Sequence, residues 1–195
     1  MVSQSLKASF FTPNTLFLSL TDGNDSDNDV ATILSKCQKY EFGAYLFVPF
    51  RKVGLGLEKT INLWLDIREV DREIKFKVNS INLGLLTAYL LKKNWKARIN
   101  LIILINETDN QLEELEAAER YAHRLIILAR MPSNAETHYF VGNVSDVVEE
   151  VPYADLNILT LVSSDIDMNL IRQQTNSLET SCLYTIDCGS ENALA

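Results

Sequence analysis

Arg98 to Ile105 reads RINLIILI, and six of those eight residues are strongly apolar, with no polar residue recurring at every second position. A strand that is apolar on both sides must be covered on both sides. A mostly parallel sheet with helices on each face provides that cover, so this segment sets the class as α/β. Other runs fit the same sheet. Asn14 to Leu20 (NTLFLSL), opened by Pro13, reads as a strand buried on both faces. Gly43 to Val48 (GAYLFV), stopped by Pro49, and Ile61 to Ile67 (INLWLDI) read as two more. Glu136 to Val141 (ETHYFV), Asp155 to Leu161 (DLNILTL) and Cys182 to Ile186 (CLYTI) complete the set.

Helical periodicity fills the intervals. Val30, Ile33, Leu34 and Cys37 stand at the spacing of one buried stripe. Ser26 or Asp27 is placed to cap that helix, and the acids around them suit its positive end. A second helix runs to about Asn94, with Asn79 or Ser80 as its cap, and is apolar on most sides, so deep burial is expected. Leu112, Leu115, Ala118, Ala122, Leu125 and Ala129 mark a long helix from about Asn110 to Arg130, with Pro132 just beyond. Another helix spans about Asp165 to Ser177. Strands alternating with helices imply right-handed crossovers and one layered domain. One domain is therefore expected over residues 13–195, with 1–12 as a linker or disordered N-terminus.

One segment departs from this pattern. In Glu73 to Val78 (EIKFKV), the apolar residues Ile74, Phe76 and Val78 alternate with the charged Glu73, Lys75 and Lys77. Period two with one charged face reads as a half-exposed strand or as the arm of an extra hairpin near residues 68–78. Its apolar face needs a cover, so these six residues are the candidate interface, with pairing inside the same sheet as the alternative.

Charge and cysteine usage limit the partners. The chain carries a formal charge of −8, which repels phosphate backbones and anionic lipid, and Lys92, Lys93, Lys96 and Arg98 are too few to form a basic patch. No nucleic-acid partner is expected. Cys37, Cys182 and Cys188 form no CxxC pair, and Cys37 is in phase with the apolar stripe, which fits a buried thiol in a reducing compartment. No signal peptide is read at the N-terminus. The longest apolar stretch, Ile81 to Leu91, would make a helix of about 16 Å, too short to cross a bilayer, so no direct membrane insertion is expected.

Catalytic and ligand motifs are sparse. Gly54 and Gly56 make a GxG that precedes a strand instead of opening a helix, so a flexible turn is the better reading than a phosphate loop. Asp25, Asp27 and Asp29 alternate like part of a calcium loop, but Val30 and Lys36 occupy the positions where that motif needs Gly and Glu. Asp66, Glu69 and Asp71 read as a solvated acidic loop. His123 lies on the polar side of its helix and His138 in a strand, and neither sits among the partners that a catalytic or metal-binding histidine requires. No catalytic residue, metal ligand or cofactor is assigned.

Several ordered motifs carry a resemblance. Lys59-Thr60-Ile61-Asn62-Leu63-Trp64-Leu65 is followed by Leu85-Leu86-Thr87-Ala88-Tyr89-Leu90-Leu91, and then by Trp95-Lys96-Ala97-Arg98-Ile99. Pro13-Asn14-Thr15-Leu16 opens the series, Ala154-Asp155-Leu156-Asn157-Ile158 comes late, and Glu191-Asn192-Ala193-Leu194-Ala195 ends it. In order and spacing this resembles the C-terminal cytoplasmic domain of cation–chloride cotransporters, with prokaryotic-type endings. The departure is the stretch REVDREIKFKVNS, where family members carry a short acidic turn containing glycine. The resemblance implies a universal-stress-protein-like (Rossmann-like) fold, a homodimer, attachment to a transmembrane domain absent from this chain, and a place at the inner face of the membrane. It also implies a regulatory module without catalysis of its own. The alternative is a free-standing stress-type protein that binds a small molecule or nucleotide. Its glycine-rich loop would fall at Ser163-Ser164-Asp165-Ile166-Asp167, where no glycine stands.

Overall fold

The computed structural model describes residues 14–20, 26–40, 42–68, 81–131, 134–161 and 166–187. In chain order the strands are β1 (Thr15–Ser19), β2 (Gly43–Val48), β3 (Thr60–Asp66), β4 (Arg98–Ile105), β5 (Glu136–Val141), β6 (Leu156–Thr160) and β7 (Cys182–Ile186). The helices are α1 (Asp27–Cys37), α2 (Asn82–Trp95), α3 (Gln111–Leu128), the single turn α4 (Val144–Val147) and α5 (Met168–Ser177). The strands of the described residues form one sheet in the order β1-β2-β7-β6-β3-β4-β5. Every pairing is parallel except β2 with β7.

Side-chain alternation divides the interior into two layers. Ile61, Leu63 and Leu65 of β3, with Ile99, Leu101, Ile103 and Ile105 of β4, pack under Leu85 and Ala88 of α2 and Ala118, Ala122 and Leu125 of α3. Trp64, Ile102 and Leu104 point the other way and meet Leu34 and Cys37 of α1, Val144 and Val147 of α4, and Met168 and Ile171 of α5. β4 therefore has the two-sided apolar cover that its sequence demands. Each fully buried Leu or Ile contributes roughly 1.5–3 kcal/mol relative to exposure.

Three expectations change. β1 is an edge strand that pairs with β2 alone among the described residues, and Phe17 is 65% exposed, so the strand is not buried on both faces. Its apolar run reflects one packed side and one open side. α2 is fully buried mainly through its first two turns; beyond Ala88 it keeps Leu91 and Trp95 against the core but exposes Tyr89 and Leu90. Leu112, counted with the buried stripe of α3, lies in solvent, whereas Ala118, Ala122 and Leu125 face the sheet. The arm near residues 68–78, apart from Arg68, and the proposed caps Asn79 and Ser80 lie outside the described residues. The cap that is present comes from far along the chain. Asp187, just past β7, accepts from the backbone N–H groups of Asn82 (2.8 Å) and Leu83 (2.9 Å) at the start of α2.

Candidate functional site

The turn-rich connection from β2 to β3 contains the GxG, and it is not a loose loop. Gly54 and Gly56 have φ values of +62° and +56°, the left-handed region that glycine enters at low cost. The backbone N–H groups that follow converge on one carboxylate. Asp155 accepts from Leu57 N (2.8 Å), Lys59 N (2.8 Å), Thr60 N (2.9 Å) and the Thr60 hydroxyl (3.0 Å). Burial pushes the Asp155 carboxyl up, but the donors outweigh it and hold its pKa below the ordinary value. A Cβ on Gly56 would overlap that carboxylate. Ser181 holds the other half of the turn, accepting from Phe50 N (2.9 Å) and donating to the Gly54 carbonyl. The flexible-turn reading is therefore corrected. This loop does what an anion-binding loop does, but its anion is Asp155 of the same chain.

Beside this clamp, at the amino ends of β3 and β6, opens a groove of about 520 Å³. It is lined in part by Val151, Pro152, Tyr153, Leu178 and Glu179, together with Asn62 and Asn157. Those two amides belong to a row that crosses three strands, since Asn100, Asn62 and Asn157 are register partners on β4, β3 and β6. Asn100 Nδ2 donates to Asn62 Oδ1 (2.8 Å), Asn62 Nδ2 to the Pro152 carbonyl (2.8 Å), and Trp64 Nε1 to Asn157 Oδ1 (2.9 Å). Buried amides need such partners, because an unmet polar group costs about 1–3 kcal/mol.

At the opposite end, the chain order reverses between β3 and β6. In a parallel α/β sheet that reversal is the usual place for a ligand crevice. A cavity of about 170 Å³ lies there, lined in part by Trp64, Asp66, Arg68, Asn143, Thr160 and Tyr184. Its charges are already engaged. Arg68 pairs with Asp66 and donates to Asn143, and Asp146 accepts from Asn143 N at 2.8 Å. The Asn143 backbone and side chain hold the Asp146 carboxyl below its usual value. Asp167 caps α5 through Asn169 N and Leu170 N. Asp66, read as part of a solvated acidic loop, is thus half of an ion pair, while Glu69 and Asp71 lie outside the described residues, as does the stretch Ser163 to Asp165.

The candidate interface Glu73, Ile74, Lys75, Phe76, Lys77 and Val78 also lies outside the described residues. Asp27 is not a cap. It is buried in α1 and pairs with Arg172 of α5, whose Nη2 and Nε donate at 2.7 and 3.0 Å. The Arg172 hydrogen bond, ahead of its charge, holds the Asp27 carboxyl below its ordinary range despite burial. Asp29 is exposed, and Asp25 lies outside the described residues. His123 is exposed, and His138 is half-buried on edge strand β5 with Nε2 3.9 Å from the Glu136 carboxylate. Burial pushes the Cys37 and Cys182 thiols up to about 11 and about 12. Among the described residues, no cluster of three or more His, Cys, Asp or Glu is placed to hold a metal.

Two family models together cover residues 1–194. The model for the second part of the C-terminal domain of prokaryotic cation–chloride cotransporters matches residues 56–194, and the model for the first part matches 1–55. The chain belongs to this family. The crystal structure of the cytoplasmic domain of a prokaryotic cation chloride cotransporter is 32% identical, with a TM-score of 0.83 over 98% of this chain and 72% of that one. A protein of unknown function from Pseudomonas aeruginosa PAO1 is 14% identical, with a TM-score of 0.56 over 96% of this chain and 66% of that one; this is a likeness of fold alone. No curated protein matches. The cotransporter domain is cytoplasmic by family, and no helix of its described residues is long and apolar enough to cross a membrane. The boundary between its two family segments falls inside the clamped turn, between Leu55 and Gly56.

Proposed function

We propose that this cotransporter domain is a regulatory and dimerisation module without catalysis of its own, working on the transmembrane domain of its parent. The family match over nearly the whole chain carries the reading. The mechanism is mechanical. Two copies associate, and changes in their packing bias the membrane domain between states, so a signal acts only through contacts that differ between those states. The alternating segment Glu73 to Val78 is the candidate contact surface, on the strength of its sequence. Ion uptake by the full-length transporter in proteoliposomes tests the role. Phe76→Glu should change uptake at equal protein density, and uptake identical to wild type would count against regulation through this surface.

Residues 13–195 form, in this reading, one folding unit that joins the two family segments. The nucleotide-binding alternative has one observation against it at the GxG turn: the N–H groups of Leu57, Lys59 and Thr60 are already committed to Asp155. A thermal-shift titration with ATP addresses it directly. Stabilisation by several degrees would favour a ligand-binding protein, because a ligand of the native state raises its melting temperature.

A further inference from the structure

Leu57 is 80% exposed, the most exposed large apolar side chain among the described residues, yet its own backbone N–H is one of the four donors bound to Asp155. An apolar side chain presented on a fixed backbone loses little further freedom when a partner covers it, which is the behaviour of a preorganised contact residue. Tyr153, 62% exposed, is two residues from Asp155 and forms part of the adjoining groove wall. An exposed apolar residue and a partly apolar groove thus lie near one another at the amino ends of β3 and β6. The charges around them are opposite. The loop of Leu57 carries Arg51, Lys52 and Lys59 against the single acid Glu58, while Glu149 and Glu179 line the groove.

We propose that this end of the sheet is a self-complementary surface, on which Leu57 of each copy seats in the groove of the other. The inference rests on the reading that the domain self-associates, and it offers this surface as an alternative to the Glu73 to Val78 segment for the seat of that contact, with a second copy as the occupant. In a two-fold contact each patch meets its own duplicate, so a surface with an exposed apolar residue near a groove, and basic beside acidic, closes on itself. The local opposite charges let copies with a net charge of −8 approach at this end of the sheet.

The test is light scattering of the full chain over a concentration series, with three variants of exposed residues and circular dichroism to establish that each is folded. Leu57→Asp should weaken the dimer at least tenfold. Lys52→Glu/Lys59→Glu and Glu149→Lys/Glu179→Lys should each weaken self-association by like-charge repulsion. Mixed in equal amounts, the two charge-reversed chains should recover the dimer, because each acidic loop then meets a basic groove. A wild-type dimer that all three variants leave intact overturns this surface and leaves dimerisation standing elsewhere. A wild-type chain that is monomeric throughout removes the second copy as occupant and the self-association reading with it.

Discussion

Asp155 brings a negative charge into a nearly closed position because three backbone N–H groups and a hydroxyl converge on it there. Asp155→Ala would leave those donors unmet, and a buried unsatisfied group costs about 1–3 kcal/mol. The donors are only part-buried, so urea unfolding should lose about 1–3 kcal/mol, and a loss within experimental error would refute the clamp. Gly56→Ala should also destabilise, since the new Cβ meets the carboxylate at a φ of +56°. In the Asp155→Ala background its cost should shrink, because the group it strikes is gone. Acid sensitivity follows from the same chemistry. The folded pKa values of Asp155 and Asp27 are depressed, so their stabilisation is complete above the unfolded carboxylate value of about 3.9 and drains away as pH falls through the lower folded values. Arg172→Met removes the partner that holds Asp27 down. That variant should lose stability at neutral pH and show a shallower decline on acidification than wild type, measured as melting temperature between pH 6 and pH 3.

At the scale of elements, local periodicity marked most of the strands and helices, because burial on a sheet face repeats every second residue and on a helix every third or fourth. β2, β5 and β7 fall where their sequences place them, at Gly43–Val48, Glu136–Val141 and Cys182–Ile186. Properties set by distant partners were not legible. Whether NTLFLSL is central or at an edge depends on the strand order, and nothing within the segment encodes that order. The GxG read as a loose turn because its anchor, Asp155, lies 98 residues beyond Leu57. The cap of α2 escaped for the same reason, with Asp187 105 residues from Asn82. Ser26 and Asp27 satisfied every local criterion for a cap, but the long-range pair with Arg172 takes Asp27 instead. Asp187→Ala should cost about 0.5–2 kcal/mol, the usual range for losing a helix cap. Amide hydrogen exchange at Asn82 and Leu83 should accelerate, and unchanged exchange there would contradict the cap.

At the scale of the whole molecule, the sheet runs without interruption through both family segments. β1 and β2 of the first segment join the second through the antiparallel β2–β7 pairing, and Ser181 ties Phe50 and Gly54 to the start of β7. With so many backbone bonds across the boundary, calorimetry should record a single transition with equal calorimetric and van't Hoff enthalpies, and two resolved transitions would divide the unit. In the proposed role, the exposed Leu57 on its hydrogen-bonded backbone would pair one copy with another, and that pairing would act on the membrane domain. The solution mass of the 195-residue chain, measured by light scattering as concentration rises, tests this most directly. The account predicts a mass that climbs from about 22.1 kDa toward twice that value and then levels off. A mass that stays at the monomer value at every concentration would contradict it.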